Sequence, residues 1–154
     1  MIKNIIDGIS ERLYDTFGSG YEIYTEVTEQ GVTEPCFMIT LISPSGSRML
    51  SDRVKRENLF CIQYLPGDGD KLEEINDMID DLYWALDTID TIDDDGNDVI
   101  VRGTDMYSEI TDQVLSFFVH YDYFEIRTHD KDLMEEISGE IEAMGYSKYT
   151  ETDN

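Results

Sequence analysis

The stretch "VLSFFVHYDYFEIR", residues 114–127, decides the fold class because it is the longest aromatic strand pattern in the chain. Successive side chains of a strand point to opposite faces, so Val119 and Tyr121 share one side while His120 and Asp122 share the other. A short turn before this stretch links it to strand patterns in residues 98–110. We therefore predict a sheet that includes residues 114–127 as its longest aromatic strand.

Further strand patterns lie upstream of the aromatic one. Residues 21–27 alternate with period two, which is typical of a strand with one solvent-exposed face. Residues 36–43 are apolar nearly throughout, which predicts a strand covered on both sides, and "PSGS" after them predicts a turn. Residues 48–65 supply one long bent strand or two shorter ones. Segregated strands with short hairpin connections favour an α+β fold with a largely antiparallel sheet.

Three helices are predicted to flank this sheet. The N-terminal helix, residues 2–17, carries an apolar stripe at three- and four-residue spacing and is stopped by Gly18 and Gly20. A C-terminal helix can begin at Asp132 and end at Gly145. The buried stripe of the central helix is predicted to comprise Leu72, Ile75, Met78, Ile79, Leu82, Leu86 and Ile89.

The length and charge of the chain limit its organisation and its partners. A chain of 154 residues fits one domain, which we place at residues 1–146, followed by a polar tail at 147–154. The net charge of −24 repels phosphate backbones and anionic membranes, so we expect no specific nucleic acid and no membrane as partner. With only Cys36 and Cys61, and with neither a signal-peptide pattern nor a membrane span, we expect a cytoplasmic protein.

The acidic run "IDTIDDDGND", residues 89–98, raises the question of a calcium loop. With Gly96 at the sixth position of an EF-hand loop, aspartates fall at the third and fifth positions, but Thr91 occupies the first and Arg102 the twelfth. The favoured interpretation is a polar connection that begins at the end of the central helix and leads to a hairpin. A calcium-stabilised module that uses aspartates 93–95 stays open as an alternative.

The chain offers little that points to catalysis. It contains none of the nucleophile-elbow, zinc-protease, phosphate-loop or dinucleotide-binding motifs. His120 could act as a base oriented by Asp122, but the two are next-nearest neighbours on one strand face, and a structural histidine is the favoured interpretation. The residues therefore give little support to catalysis, and we assign no catalytic, cofactor-binding or metal-binding residues.

Two features suggest a subunit or partner interface. Arg48, Arg53, Lys55 and Arg56 place four of the eleven cations within nine residues, which suits a head-to-tail contact with an acidic surface of the next subunit. Internal neutralisation by nearby carboxylates explains this segment equally well. Trp84 points away from the apolar stripe of its helix and could anchor an interface, unless a loop or the C-terminal helix covers it.

Four stretches, in their order along the chain, carry a family resemblance. Together they resemble the tail terminator family of tailed phages and prophages of Gram-positive bacteria. The resemblance spans nearly residues 2–127, and it depends on the number and order of the stretches because none is a catalytic signature. The four stretches are "IIDGISERLYDTFGSGYEIYTE", "QGVTEPCFMI", "FCIQYLPGDGDK" and "RGTDMYSEITDQVLSFFVHYDYF".

The resemblance implies a structural role in virion assembly. Members of the family form a ring, commonly a hexamer, on the end of the tail tube, where the ring halts tube growth and offers a surface to the head connector. The implied partners are other copies of the chain, which can be monomeric in isolation, the tail tube protein and a head–tail connector or stopper protein. The implied location is the host bacterial cytoplasm during assembly and then the virion tail, with no enzymatic activity and no cofactor. The competing hypothesis is an acidic DNA mimic that inhibits a nucleic-acid-binding protein.

Overall fold

A computed structural model describes residues 1–26, 31–68 and 71–126 of the chain. The C-terminal helix predicted from Asp132 to Gly145 and the polar tail at 147–154 lie outside the described residues. Within the described residues the elements are α1 (Ile2–Phe17), β1 (Glu22–Tyr24), β2 (Cys36–Arg48), β3 (Arg53–Leu65), α2 (Lys71–Ala85), β4 (Thr88–Ile92), β5 (Asp98–Thr111), β6 (Val114–Tyr121) and β7 (Tyr123–Ile126).

The strands form one curled, mixed sheet in the order β1-β2-β3-β6-β5-β4, and β7 pairs with β3 beyond the end of β6. The α+β prediction is confirmed. The sheet is mixed because β1 pairs with β2 in parallel, whereas every other pair is antiparallel. β2 starts beside β1, with Glu22 opposite Cys36, and runs in the same direction.

Both helices pack on one face of the sheet and close a single core. Their buried side chains include Ile5, Ile9 and Leu13 from α1, and Ile75 and Leu82 from α2. Within the described residues, no helix is both long enough and apolar enough to cross a membrane. The sheet contributes alternate side chains to this core, as the period of a strand requires, namely Phe37, Ile39, Phe60, Ile62, Tyr64, Leu115, Phe117, Val119 and Tyr121.

The central helix is shorter than its predicted stripe. Leu72, in its first turn, is 63% exposed and does not belong to the core. The helix ends at Ala85, and Leu86 and Ile89 are buried beyond its end. Ile89 continues the helical spacing of the preceding leucines, but it also alternates with Thr91 as strand residues do, and the second pattern is the one that the fold adopts.

The acidic run at 89–98 is a hairpin, and its prediction as a polar connection from the helix is wrong for its first part. Thr88–Ile92 is β4, which pairs in an antiparallel manner with residues 98–102 of β5. Only residues 93–97 form the turn. The helix α1 lies against β4 at Gly8, where an added Cβ would come within 2.7 Å of the backbone oxygen of Asp90.

The "PSGS" stretch is strand and not turn. β2 continues through Pro44 to Arg48, and the chain turns at residues 49–52. Residues 48–65, predicted as one bent strand or two, contain the single strand β3 after this turn. Proline and glycine are tolerated here because β1 covers β2 only as far as Met38, and the ladder with β3 shifts next to Ile42. Among the described strands, none pairs with the outer side of β2 at Pro44, which therefore lies on an open edge beside a bulge. Burial on both sides, predicted for 36–43, holds only at the start of the strand.

The aromatic stretch that decides the fold is interrupted once. Its alternation is as predicted, because Val119 and Tyr121 are buried and His120 is half-buried on the opposite face. At Asp122 the ladder stops, β6 ends and β7 begins. The reason is a side-chain contact, since the backbone N–H of Asn58 donates to Asp122 Oδ1 over 3.0 Å where a strand carbonyl would otherwise accept.

Candidate functional site

The outer half of the β2–β3 hairpin projects beyond the helices, and we refer to residues 43–58 together with β7 as the arm. The tip of the arm is apolar, since Leu50 is 92% exposed and Met49 is also exposed. The tip is closed by a backbone hydrogen bond of 2.7 Å from the N–H of Met49 to the carbonyl of Arg53. The fold therefore holds an apolar tip away from the core, where it can contact another molecule.

The four predicted interface cations all lie on the arm. Lys55 Nζ is 2.9 Å from Glu57 Oε2, and this hydrogen bond and charge raise the pKa of Lys55. Arg56 is 3.3 Å from Glu125 Oε1 on β7. Internal neutralisation, the alternative that the sequence left open, therefore applies to Lys55 and Arg56.

The other two cations are placed differently. The guanidinium of Arg53 lies 5.5 Å from the ring centre of Phe124, which is a cation–π distance. Arg48 forms no ion pair with a carboxylate among the described residues. Both are on the exposed part of the arm, so they are the cations that remain for a partner.

A groove runs along the outer side of β7, and we refer to it as the acidic groove. It exists because the sheet divides: β5 stays beside β6 from Gly103 onward, whereas β7 turns away to pair with β3. The space between β7 and the first half of β5 is lined by six carboxylates and by three cationic groups, namely Lys55, Arg102 and the amino terminus. The six are Asp93, Asp94, Asp95, Asp105, Asp122 and Glu125.

The turn at one end of this groove is organised by Asp93. Its Oδ1 accepts hydrogen bonds from the backbone N–H groups of Asp95 (2.9 Å) and Asn97 (2.8 Å). These hydrogen bonds, that from Asn97 first, lower the pKa of Asp93. Gly96 supplies the left-handed φ of 87° that the turn needs. The carboxylate therefore serves the turn, and the described residues contain no group of three or more His, Cys, Asp or Glu arranged to hold a metal ion.

Acidification should test the role of Asp93. A carboxyl whose folded pKa lies below its unfolded value stabilises the fold above the unfolded pKa, and this contribution is lost as the pH falls through the folded pKa. We expect Asp93→Ala to lower the melting temperature at neutral pH and to flatten its decline below about pH 4. Thermal unfolding across this pH range would show it. Asp95→Ala, in the same turn, is the control, and equal pH profiles for the two variants would contradict the assignment.

Trp84 lies on α2, away from the arm in sequence and on a different element. It is 75% exposed, and its ring meets that of Tyr83 edge-on with 5.5 Å between ring centres. The surrounding helix surface is acidic, with Asp77, Asp80 and Asp81 also exposed. An exposed aromatic pair on an acidic surface is suited to a partner that offers apolar and basic groups.

The histidine considered as a base has no hydrogen bond to Asp122. His120 is half-buried in β6, opposite Leu59 and Thr104. Asp122 instead accepts from the backbone of Asn58. The orientation that a base at His120 would need from Asp122 is therefore not provided by this geometry.

Sequence reasoning missed part of this surface. Leu50, Phe124 and Ile126 are large exposed apolar residues at the tip and along β7. Leu50 lies between two strand patterns, and an exposed apolar residue is expected there only if the turn is at residues 49–52. The turn predicted at "PSGS" leads away from this interpretation. For Phe124 and Ile126 the sequence contained no such signal, since their exposure depends on β7 remaining paired with β3 where β5 diverges from it.

Comparison with known proteins identifies the family. A search of curated proteins finds no match to this sequence. The family model described as "Phage tail terminator protein" matches residues 4–132, which include α1 from its third residue, the whole sheet and α2. The resemblance of the four sequence stretches to the tail terminator family is thereby confirmed. The chain belongs to the phage tail terminator family and has a structural role in a phage tail.

Proposed function

We propose that this protein caps the tail tube as a ring, stops tube polymerisation and presents a docking surface to the head connector. The family match over residues 4–132 is the observation that carries this proposal. In this role the protein is not an enzyme and needs no cofactor. Its partners are other copies of itself, the tube protein and a connector or stopper protein, in the host cytoplasm and then in the virion tail.

The arrangement of charge supports a ring with a heterologous interface, in which two different surfaces of the subunit meet. The arm offers Arg48 and Arg53, whereas the groove and α2 offer carboxylates. Opposite charges on different surfaces favour head-to-tail contacts, which close into a ring when the rotation between subunits permits. Trp84 provides an apolar contact on the acidic side. The ring size that we propose is six, as is common in the family.

The net charge of −24 fits a ring through which DNA passes. Carboxylates that face a lumen repel phosphate groups, so the nucleic acid moves without binding. This use of the charge, together with the family match, favours the assembly role over a DNA mimic.

Tail length provides the test. Cells that produce tails without this protein should contain overlong tubes, because nothing halts addition of tube subunits, and electron microscopy would measure the lengths. Supplying the wild-type protein from a second gene should restore the normal length. Tubes of normal length in the absence of the protein would reject the proposed termination.

A further inference from the structure

The arm has two open strand edges on opposite sides. One is the outer edge of β2 from residue 43 to Arg48, and the other is the outer edge of β7. No strand among residues 1–26, 31–68 and 71–126 pairs with either edge. Open edges carry unpaired backbone N–H and C=O groups, which bind another strand if one of suitable register is presented.

The outward groups of β2 can be identified from the hairpin. The N–H of Met49 donates to Arg53, so it points toward β3, and backbone groups alternate in direction along a strand. Those of Pro44, Gly46 and Arg48 therefore point away from β3 toward the open edge. Pro44 has no N–H and presents only a carbonyl, which is why proline is tolerated at this position.

The outward groups of β7 follow from the other side of β3. The N–H of Asn58 points toward Asp122 and away from β2, so alternate residues of β3 direct their groups toward β7. Phe124 is opposite Lys55 and Ile126 is opposite Arg53. Neither Lys55 nor Arg53 directs its backbone groups toward β7. The backbone groups of Phe124 and Ile126 therefore point into the acidic groove.

The two edges fit each other in a parallel register. β2 and β7 both run antiparallel to β3, so a second copy that keeps the same orientation offers β2 parallel to β7. In a parallel ladder, a residue that faces the partner strand makes two hydrogen bonds with the two neighbours of its opposite residue. Its N–H donates to the carbonyl of the preceding neighbour, and its carbonyl accepts from the N–H of the following neighbour. With Phe124 opposite Ser45, and hence Ile126 opposite Ser47, the groups required are the Pro44 carbonyl, both groups of Gly46 and the Arg48 N–H. The missing N–H of Pro44 is not needed in this register.

Side chains and charge agree with this register. Ser45 and Ser47 are small and exposed, which leaves room beside them for the exposed side chains of Phe124 and Ile126. Arg48 would enter a groove where carboxylates outnumber cations.

We propose that the outer edge of β2 in one copy adds as a parallel strand to the outer edge of β7 in a second copy, inside the acidic groove. The contact rests on the proposed ring and specifies its interface. Each copy contributes its β2 edge to one neighbour and its β7 edge to the other, so the contact is heterologous and can propagate around a ring until it closes.

A cysteine pair tests the register. Ser47→Cys and Ile126→Cys are placed on separate full-length copies, which are produced together in cells that assemble tails and are extracted under oxidising conditions. We expect a disulfide-linked dimer only when both variants are present. Both positions are exposed, so neither change affects the core, and the native Cys36 and Cys61 are buried. Ser47→Cys with Ile92→Cys on the edge strand β4 is the control, and it should give no dimer.

A missing link, or a link of equal yield in the control, would overturn the strand addition. The outcome is separable from that of the termination proposal. Overlong tubes in cells without the protein, combined with no link, would retain termination and reject this interface. A specific link combined with normal tubes in cells without the protein would retain the interface and reject termination.

Discussion

Replacing Leu82 by alanine is expected to lower the free energy of unfolding by about 2–5 kcal/mol, the range for large-to-small changes at fully buried leucines. Leu82 is completely buried and belongs to the core that α2 shares with the sheet. The loss combines the transfer free energy of the removed methyl groups with the cost of the cavity that remains. Urea unfolding followed by circular dichroism would measure it, provided that both proteins unfold in a single transition.

The matched control is Leu72→Ala on the same helix. Both leucines belong to the stripe predicted from sequence, but Leu72 is exposed in its first turn. Its replacement should change the free energy of unfolding by no more than about 0.5 kcal/mol, as is usual at the surface. Similar losses for the two variants would show that the first turn of α2 packs as the sequence stripe implies.

The second large effect is expected at Gly103, where Gly103→Ala should cost about 3 kcal/mol, at the upper end of the range for overpacking. An added Cβ would lie 2.6 Å from the backbone oxygen of Leu86 and 2.8 Å from Cγ2 of Val119. Neither atom can move freely. The Leu86 oxygen accepts a hydrogen bond from the hydroxyl of buried Tyr121, and Val119 is buried in the core.

Gly20→Ala is the control for this change, since an added Cβ there meets no atom within 4 Å. Thermal unfolding of the two variants under one condition would compare them. A Gly103→Ala protein as stable as the wild type would mean that β5 does not approach Leu86 and β6 as closely as described. Loss in Gly20→Ala alone would contradict the packing argument entirely.

Local patterns predicted most elements of this fold. The alternation through Val119 and Tyr121 and the stripe of α1 report on burial, which is what side-chain periodicity measures. Errors arose where a distant residue decides the outcome. Whether Pro44 is in a strand depends on no described strand lying beside β2 beyond Met38, and the break at Asp122 depends on Asn58, which is 64 residues away.

The candidate site was predictable to a similar degree. Composition located the four cations, because their clustering is visible in the sequence alone. It could not distinguish Arg56, which contacts Glu125 from a strand far along the chain, from Arg48, which has no such contact among the described residues. The open edges and the groove could not be predicted from the sequence either. They depend on which of the described strands pair with one another, and this pairing joins residues far apart in the chain.

The continuity of β3 has a mechanical consequence. This one strand runs from the arm into the core without a hinge, and it is bonded to β2 on one flank and to β7 and β6 on the other. Hydrogen bonds between strands lie perpendicular to the strand axis. A pull on the arm along β3 would therefore load many bonds at once in shear instead of opening them one after another, and a subunit gripped by its arm would resist tension through its whole sheet.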